Sequence, residues 1–215
     1  MRMREELAEL IGTFTLVFIG AGAGALAAEN GGGIVAVALA HGIALTVIVY
    51  AWGSISGAHV NPAVTFGVAL AGRMDWGKAV RYWVAQLIGA AIAGYLLLFL
   101  IGKTGSLGMT LPASSVSPIQ AVVIEAVLTF FLVVAVFGSA VSSRNGNAAG
   151  AAIGLVLAMD ILMGGSLTGA SMNPARTFGP ALALLQFQDI WIYVVGPFIG
   201  GGLAALVYER LFLRS

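Results

Sequence analysis

Apolar residues in this chain run in long blocks that short polar stretches separate. Six blocks are long enough for a helix that crosses the ~30 Å hydrocarbon core of a bilayer, and they predict spans at 6–28, 33–54, 79–101, 119–140, 148–166 and 189–210. Two shorter blocks, 62–72 and 174–185, each begin at an Asn-Pro pair. Asn is a favoured helix N-cap and Pro a favoured first helical residue. Eleven helical residues rise about 16 Å, half the bilayer, so these blocks predict half-helices that enter and stop.

The two half-helices belong to a repeated phrase. Residues 56–67 read SGAHVNPAVTFG and residues 168–179 read TGASMNPARTFG, 112 positions later, with eight of twelve letters identical. Two further pairs extend the repeat, Glu9 with Glu125 and Tyr82 with Tyr193. Each half holds three spans, an odd number, so the second half is inverted relative to the first. We therefore expect one transmembrane domain, 1–215, built from inverted repeats at about 1–110 and 115–215.

Composition agrees with a lipid environment. Apolar residues make up 60% of the 215 positions and charged residues 9%, against about 25% charged in soluble domains, and the mean hydropathy is +1.00. A net charge of +1 without a basic stripe excludes a nucleic-acid partner, and the absence of cysteine excludes disulfides and thiolate metal sites. We expect no cofactor and no metal.

Basic residues set the orientation. If the chain crosses six times, one side receives eight of them: Arg2, Arg4, Arg73, Lys78, Arg81, Arg144, Arg210 and Arg214. The other side receives Lys103, while Arg176 lies within a half-helix and is not counted. The positive-inside rule places both termini in the cytoplasm. We expect the plasma membrane.

Inverted halves bring the N-termini of the two half-helices together at mid-membrane. Two helix ends, each equivalent to roughly half a positive charge, repel cations, and the side-chain amides of Asn61 and Asn173 can donate to a passing acceptor. The preceding stretches cannot be helical, and we expect them to be extended, with carbonyls lining a wet cavity; the pore-lining candidates are Gly57, Ala58, His59, Gly169 and Ser171. Water whose oxygen accepts from the Asn donors cannot relay protons there. The alternative, that Asn-Pro marks an ordinary turn, loses weight because the pair occurs twice in inverted halves.

Two acids lie inside predicted spans, Glu9 and Glu125, and intramembrane acids normally have partners. One interpretation is a proton relay. The other is that each carboxylate accepts backbone N–H groups from a re-entrant loop and anchors it. The symmetric placement favours loop anchors.

With these residues in view, the chain resembles the aquaporins, or major intrinsic proteins. The resemblance rests on Asn61-Pro62-Ala63, on Asn173-Pro174-Ala175 and on Arg176 after the second copy. It implies an all-α membrane protein: a right-handed bundle of six transmembrane helices and two re-entrant half-helices, with a pore in each protomer of a homotetramer. His41-Gly42 and the full phrases look most like the vacuolar-membrane (tonoplast intrinsic) type.

The resemblance also implies a selectivity filter at four positions: His41, Ile161, Ala170 and Arg176. Strict water channels usually carry Phe and His at the first two, so Ile161 and Ala170 imply a roomier apolar wall, similar to types that pass ammonia. The alternatives are a satisfied core histidine for His41 and a structural salt bridge for Arg176.

Three residues near the second phrase bear on the subtype. Thr177 and Ala181 stand where glycerol-conducting relatives usually carry Asp and a basic residue, which favours the water-type branch. Asp160 departs from the family pattern. It lies about 100° around its helix from Ile161, so we expect a protomer contact or a partner across helices.

The sequence therefore predicts a passive water channel, with ammonia as a further small solute and with protons and ions excluded. A secondary transporter also uses inverted repeats and broken helices, but coupling should show paired acids at the midplane. An adhesion or scaffold protein would need longer outer loops than 102–118. An enzyme would need a nucleophile–base pair or a metal cluster, and we expect no catalytic residue.

Overall fold

The computed structural model describes residues 2–142 and 146–213, and within these residues the fold is helical, with no strand. The helices are α1 Arg2–Leu26, α2 Gly33–Ser56, α3 Pro62–Leu70, α4 Trp76–Ile101, α5 Pro118–Val136, α6 Ala149–Thr168, α7 Pro174–Leu184 and α8 Ile192–Tyr208. Wider π-helical turns extend α5 over Phe137–Val141 and α8 over Glu209–Leu213. Six helices are long and apolar enough to cross a membrane. The six predicted spans and the two short helices are confirmed, with ends shifted by a few residues.

The short helices begin where their Asn-Pro pairs predict. The Asn61 side chain accepts from the backbone N–H of Ala63 at 2.8 Å, and Pro62 is the first residue of α3. Asn173 accepts from Ala175 N at 3.0 Å in the same way at the start of α7. With 9 and 11 residues, α3 and α7 rise about 14 and 17 Å. Each therefore reaches only half-way through a bilayer.

Packing follows the same scheme in both halves. In the first half α4 packs against α1, and in the second half α8 packs against α5. At each crossing a glycine lies directly on the partner backbone, Gly89 on the carbonyl of Leu10 and Gly200 on the carbonyl of Ala126, where a methyl group would overlap. The short helices join the halves, since α3 packs on α8 and α7 packs on α4. This exchange brings the two repeated phrases to the middle of the bundle.

Charged residues gather at one end of the bundle, the basic end, where three ion pairs join separate segments: Lys78 with Glu5 at 2.8 Å, Arg81 with Glu6 at 2.8 Å and Arg73 with Glu209 at 2.9 Å. The first two connect the start of α1 to α4. The third connects the end of the α3 segment to the turn after α8. Of the other basic residues assigned to this side, Arg144 and Arg214 lie outside the described residues.

The outer surface is apolar over the length of the long helices. Large side chains such as Ile43, Phe99 and Leu155 are 61, 83 and 69% exposed. A monomer in water rarely presents such a continuous apolar surface. The described fold therefore matches a lipid environment on its outside and keeps its polar contacts inside.

Candidate functional site

The two repeated phrases contact each other through their asparagines. The Asn61 side-chain amide donates to the carbonyl of Met172 at 2.8 Å, and the Asn173 amide donates to the carbonyl of Val60 at 2.9 Å. Each Asn thus caps its own helix with its oxygen and holds the opposite phrase with its nitrogen. One hydrogen of each amide is used in this way. The second remains as a donor beside the cavity that both asparagines line.

The backbone before each asparagine is not extended, contrary to the sequence expectation. Alternate residues adopt left-handed dihedrals, with φ of 49° at Ala58, 43° at Val60, 44° at Ala170 and 53° at Met172. This conformation is rare for a β-branched residue such as Val60. The reason is geometric, because alternating conformations turn successive N–H groups towards one point and form an anion-binding concavity. A carboxylate occupies each of these two concavities.

Glu9 occupies the first concavity. Its Oε1 accepts from the Ser56 hydroxyl at 2.7 Å and from the backbone N–H of His59 at 2.9 Å. Its Oε2 accepts from Val60 N at 2.7 Å and from the Gln86 amide at 2.8 Å. The carboxylate is fully buried, and each of its two oxygens accepts two hydrogen bonds.

Glu125 occupies the second concavity in the same manner. Its Oε1 accepts from the Thr168 hydroxyl at 2.7 Å and from Ser171 N at 2.9 Å, and its Oε2 accepts from Met172 N at 2.7 Å. Neither Glu9 nor Glu125 is among the described residues that line the central cavity. These contacts support the interpretation as loop anchors.

Two tyrosines complete the loop supports. The Tyr82 hydroxyl donates to the carbonyl of Ser56 at 2.7 Å, and the Tyr193 hydroxyl donates to that of Thr168 at 2.6 Å. The repeat pairs these tyrosines, but their function was not predicted. Gln86 was missed altogether, although a lone Gln in an apolar span is a signal that it has a buried partner.

A narrow cavity runs along the joined phrases. Its wall includes Asn61 and Asn173, the backbone of Gly57 and Ala58, the polar side chains of His59 and Ser171, and apolar residues such as Leu45 and Leu132. Gly169 lies instead against Thr110. The cavity offers about 30 Å³ to the centres of water molecules, whereas one buried water needs about 10–15 Å³. It therefore has room for about two or three waters.

Arg176 and His41 meet on the wall of this cavity. Arg176 Nε donates to His41 Nε2 at 3.3 Å, and its Nη1 donates to the carbonyl of Gly108 at 2.6 Å. His41 Nδ1 lies 2.9 Å from the carbonyl of Val37, which can only accept, so Nδ1 carries the proton and Nε2 accepts. Gly20 leaves room for the imidazole, because a methyl group there would overlap the ring. Both side chains are 4% exposed.

The remaining two filter candidates are placed differently. Ile161 and Ala170 are buried, at 1 and 2% exposure, but the described lining of the cavity includes neither. The salt-bridge alternative for Arg176 finds no support, because no acidic residue in the described ranges forms an ion pair with it. Gly108 was missed by the sequence reasoning, because its contribution is a backbone carbonyl and leaves no residue-type signal.

Asp160 does not match either suggestion made for it. It is 1% exposed, so it lies inside the protomer and not on a surface that a second protomer could reach. Neither carboxylate oxygen has a hydrogen-bond partner among residues 2–142 and 146–213.

Comparison with known proteins gives consistent matches over nearly the whole chain. The model of the family described as major intrinsic protein matches residues 1–208. Aquaporin TIP1-1 from Zea mays is 44% identical, over 98% of this chain and 88% of its own length. Aquaporin TIP2-1 from Arabidopsis thaliana is 43% identical, over 99% of this chain and 89% of its own. Among solved structures, the aquaglyceroporin from Plasmodium falciparum matches with a TM-score of 0.86 and 25% identity, over 98% of this chain and 97% of that one.

These matches establish a multi-pass integral membrane protein that is not an enzyme. The plant relatives carry the TIP designation of the vacuolar-membrane type, so the expectation of a plasma-membrane location is not supported. With a helical bundle of six apolar spans, two half-helices that meet at Asn-Pro, and relatives that are aquaporins, this chain is a passive water channel and belongs to the major intrinsic protein family.

Proposed function

We propose that water crosses this channel in single file past Asn61 and Asn173, while protons and ions are excluded. The observation that carries the proposal is the reciprocal pair of hydrogen bonds from each asparagine to the opposite phrase. These bonds hold the N-termini of α3 and α7 face to face beside a water-sized cavity. The motif residues Pro62, Ala63, Pro174 and Ala175 start the two half-helices and aim their ends at this point.

Proton exclusion follows from the charges at the centre. Each helix N-terminus is equivalent to roughly half a positive charge, which opposes any cation. The free amide hydrogen of each Asn gives the oxygen of a passing water a donor. A water whose oxygen accepts from both asparagines has no lone pair left to accept a hydrogen bond from the next water. Its two hydrogens point away from the centre of the pore, so a continuous proton wire is interrupted there.

Solute selection is assigned to Arg176 and His41, with Ile161 and Ala170 as the apolar members of the filter. The Arg176 guanidinium is fixed by Gly108 and His41 and repels cations at the cavity wall. Ammonia is neutral and about the size of water, and it both donates and accepts hydrogen bonds. We therefore include ammonia among the permeant solutes. Glu9 and Glu125 anchor the loops and take no part in transport.

The proposal includes orientation and assembly. Both termini face the cytoplasm, because the ion-paired basic end carries Arg73, Lys78 and Arg81. The chain forms one domain of two inverted repeats, and four copies form a homotetramer with one pore each, as in the family it belongs to. The absence of cysteine permits a direct test, since a single cysteine placed at Lys103 or at Asp75 should react with impermeant reagents from opposite sides.

Proteoliposomes test the transport proposal. Osmotic shrinkage should be fast, the lumen should not acidify under a proton gradient, and an inward ammonia gradient should alkalinise the lumen faster than in protein-free vesicles. Water flow that requires an ion gradient would contradict the channel and favour a secondary transporter. Ammonia entry equal to that of empty vesicles would remove ammonia from the proposal and leave the water channel intact.

A further inference from the structure

Three polar groups converge on the hydroxyl of Thr65 in the first half of the channel. Thr65 Oγ1 lies 3.0 Å from the carbonyl oxygen of Asn61 and 3.0 Å from Gln86 Nε2. The third neighbour is His59 Nδ1, at 3.1 Å. Thr65 is fully buried, and its hydroxyl has one hydrogen to donate and two lone pairs that accept. The three neighbours therefore decide which group donates in each bond.

Two of the three bonds have a direction that the partner sets. The carbonyl of Asn61 can only accept, so the hydrogen of Thr65 points to it. The Gln86 amide also donates to Glu9 Oε2 at 2.8 Å, which identifies its nitrogen, so Thr65 accepts from Gln86. One lone pair of Thr65 is left for the imidazole. This count places a hydrogen on His59 Nδ1 and leaves the other ring nitrogen, Nε2, as an acceptor.

The Nε2 side of the His59 ring faces the cavity. The ring packs edge-on against Tyr82, with ring centroids 5.4 Å apart, which holds the plane of the imidazole. Nε2 lies over Gly57, where a methyl group would come within 3.1 Å of it. Both His59 and Gly57 line the narrow central cavity. They also line the wider cavity that continues it between the ends of α2 and α5 and the start of α6, with about 450 Å³ for water centres.

The second half has no equivalent acceptor. The residue that matches His59 in the second phrase is Ser171, whose hydroxyl donates to the carbonyl of Asn173. The chain has two histidines, and the other one, His41, accepts from Arg176 through its Nε2. An imidazole nitrogen that can accept from water is therefore present on the His59 side of the asparagines alone.

We propose that Thr65 fixes His59 in the tautomer with the hydrogen on Nδ1, so that Nε2 accepts a hydrogen from water in the cytoplasmic half of the pore. Thr65 is a positioning residue that acts through His59. A water that accepts from Asn61 and Asn173 points its hydrogens away from the centre, and the waters that follow keep this direction when Nε2 accepts. The other tautomer would make Nε2 a donor and turn the neighbouring water the opposite way. This inference deepens the proposed water conduction and rests on it.

Solid-state nitrogen NMR of the full chain in membranes, with isotope-labelled histidine at neutral pH, measures the tautomer, because protonated and unprotonated ring nitrogens differ in chemical shift. His59→Gln leaves the His41 signals alone and so assigns the spectrum. We expect wild-type His59 to be protonated on Nδ1 and unprotonated on Nε2. A wild-type His59 that is protonated on Nε2 would overturn the proposal. The spectrum does not depend on transport, so failure here is distinct from failure of the channel proposal.

Substitutions at Thr65 test its effect on both the tautomer and transport. Thr65→Val removes the hydroxyl, so His59 should show a protonated Nε2, and water permeability should fall about fivefold, on the scale of one hydrogen bond. Thr65→Ser keeps a hydroxyl and should restore both properties. Thr15→Val is the matched control, because the Thr15 hydroxyl donates to the carbonyl of Ile11 in its own helix, and it should change neither.

Two results would contradict the function of Thr65. An unchanged His59 tautomer in Thr65→Val would show that Thr65 does not set it. A changed tautomer with wild-type water permeability would show that Nε2 does not act on the permeating water. If Thr65→Val fails to fold, the wild-type spectrum and the Thr65→Ser variant still decide, since both should show Nδ1 protonated.

Discussion

Replacing Arg176 with Val tests the filter, because it makes the second phrase match the first at the position where Val64 stands. The change removes the guanidinium from the cavity wall. It also leaves the carbonyl of Gly108 and the Nε2 of His41 without the donor that they share. The asparagine contacts lie elsewhere and stay intact, so the centre of the pore is expected to keep its structure.

The expected size of the effect follows from Coulomb's law. A cation that passes about 4 Å from a fixed unit charge is repelled by about 4 kcal/mol at an effective dielectric constant of about 20. Removing that repulsion raises cation permeability by up to about a thousandfold, since each 1.4 kcal/mol is a factor of about ten. The half-charges at the ends of α3 and α7 remain, so cations still meet a barrier. Urea should also pass faster, because the arginine side chain no longer narrows the wall.

Stopped-flow measurements on proteoliposomes at equal protein content provide the assay, with water, urea and methylammonium as the test solutes. We expect Arg176→Val to conduct water at least as fast as wild type and to leak urea and methylammonium. Arg81→Gln is the control, because Arg81 pairs with Glu6 at the basic end, away from the cavity. If Arg176→Val conducts water and still excludes both solutes as wild type does, then Arg176 is not the filter.

Three further predictions test other parts of the structure. Glu9→Gln puts an amide NH₂ group in the place of Oε2 and opposite two hydrogen-bond donors, whereas Glu125→Gln puts it opposite one. At about 1.5–3 kcal/mol per charge-assisted bond, Glu9→Gln should lower the midpoint of thermal unfolding in detergent more than Glu125→Gln does. The reverse order would contradict the anchor geometry. A methyl group added by Gly94→Ala overlaps a carbonyl of α7, whereas one added by Gly53→Ala meets Val49 at an ordinary contact distance of 3.7 Å. The first change should therefore cost about 1–3 kcal/mol of stability and the second little, as the same unfolding assay would report. Mercurials should leave wild-type permeability unchanged because the chain has no cysteine, whereas Val64→Cys, on the cavity wall, should become mercury-sensitive; inhibition of wild type would reveal another reactive site.

Local patterns were sufficient to predict the helices. A block of about 20 apolar residues has few structures open to it in lipid, because each backbone polar group must be paired within the segment. The Asn-Pro pairs predicted where α3 and α7 begin for a similarly local reason, since an N-cap side chain bonds to the first turn of its own helix. The odd number of spans in each half then required inversion, and inversion brought Asn61 and Asn173 together.

The backbone of the re-entrant loops was not predictable in this way. Val60 and Met172 adopt left-handed dihedrals that their residue types disfavour, and hydrogen bonds from distant residues, among them the carboxylates of Glu9 and Glu125, stabilise this conformation. Gln86, Gly108 and the burial of Asp160 were likewise invisible, because each depends on which helix packs against which.

The sequence by itself determined that the chain spans a membrane six times, that its halves are inverted and that two asparagines meet at its centre. These properties follow from the lengths of the apolar blocks, from helix capping and from the odd number of spans in each half. Each of these can be read from neighbouring residues or counted along the chain. The tertiary structure alone decided that each asparagine holds the opposite phrase, that Arg176 is fixed by a carbonyl and an imidazole, and that Glu125 has one described donor fewer than Glu9. Those contacts join residues far apart in sequence, some more than a hundred positions, and the packing of α3 on α8 and of α7 on α4 brings them within bonding distance.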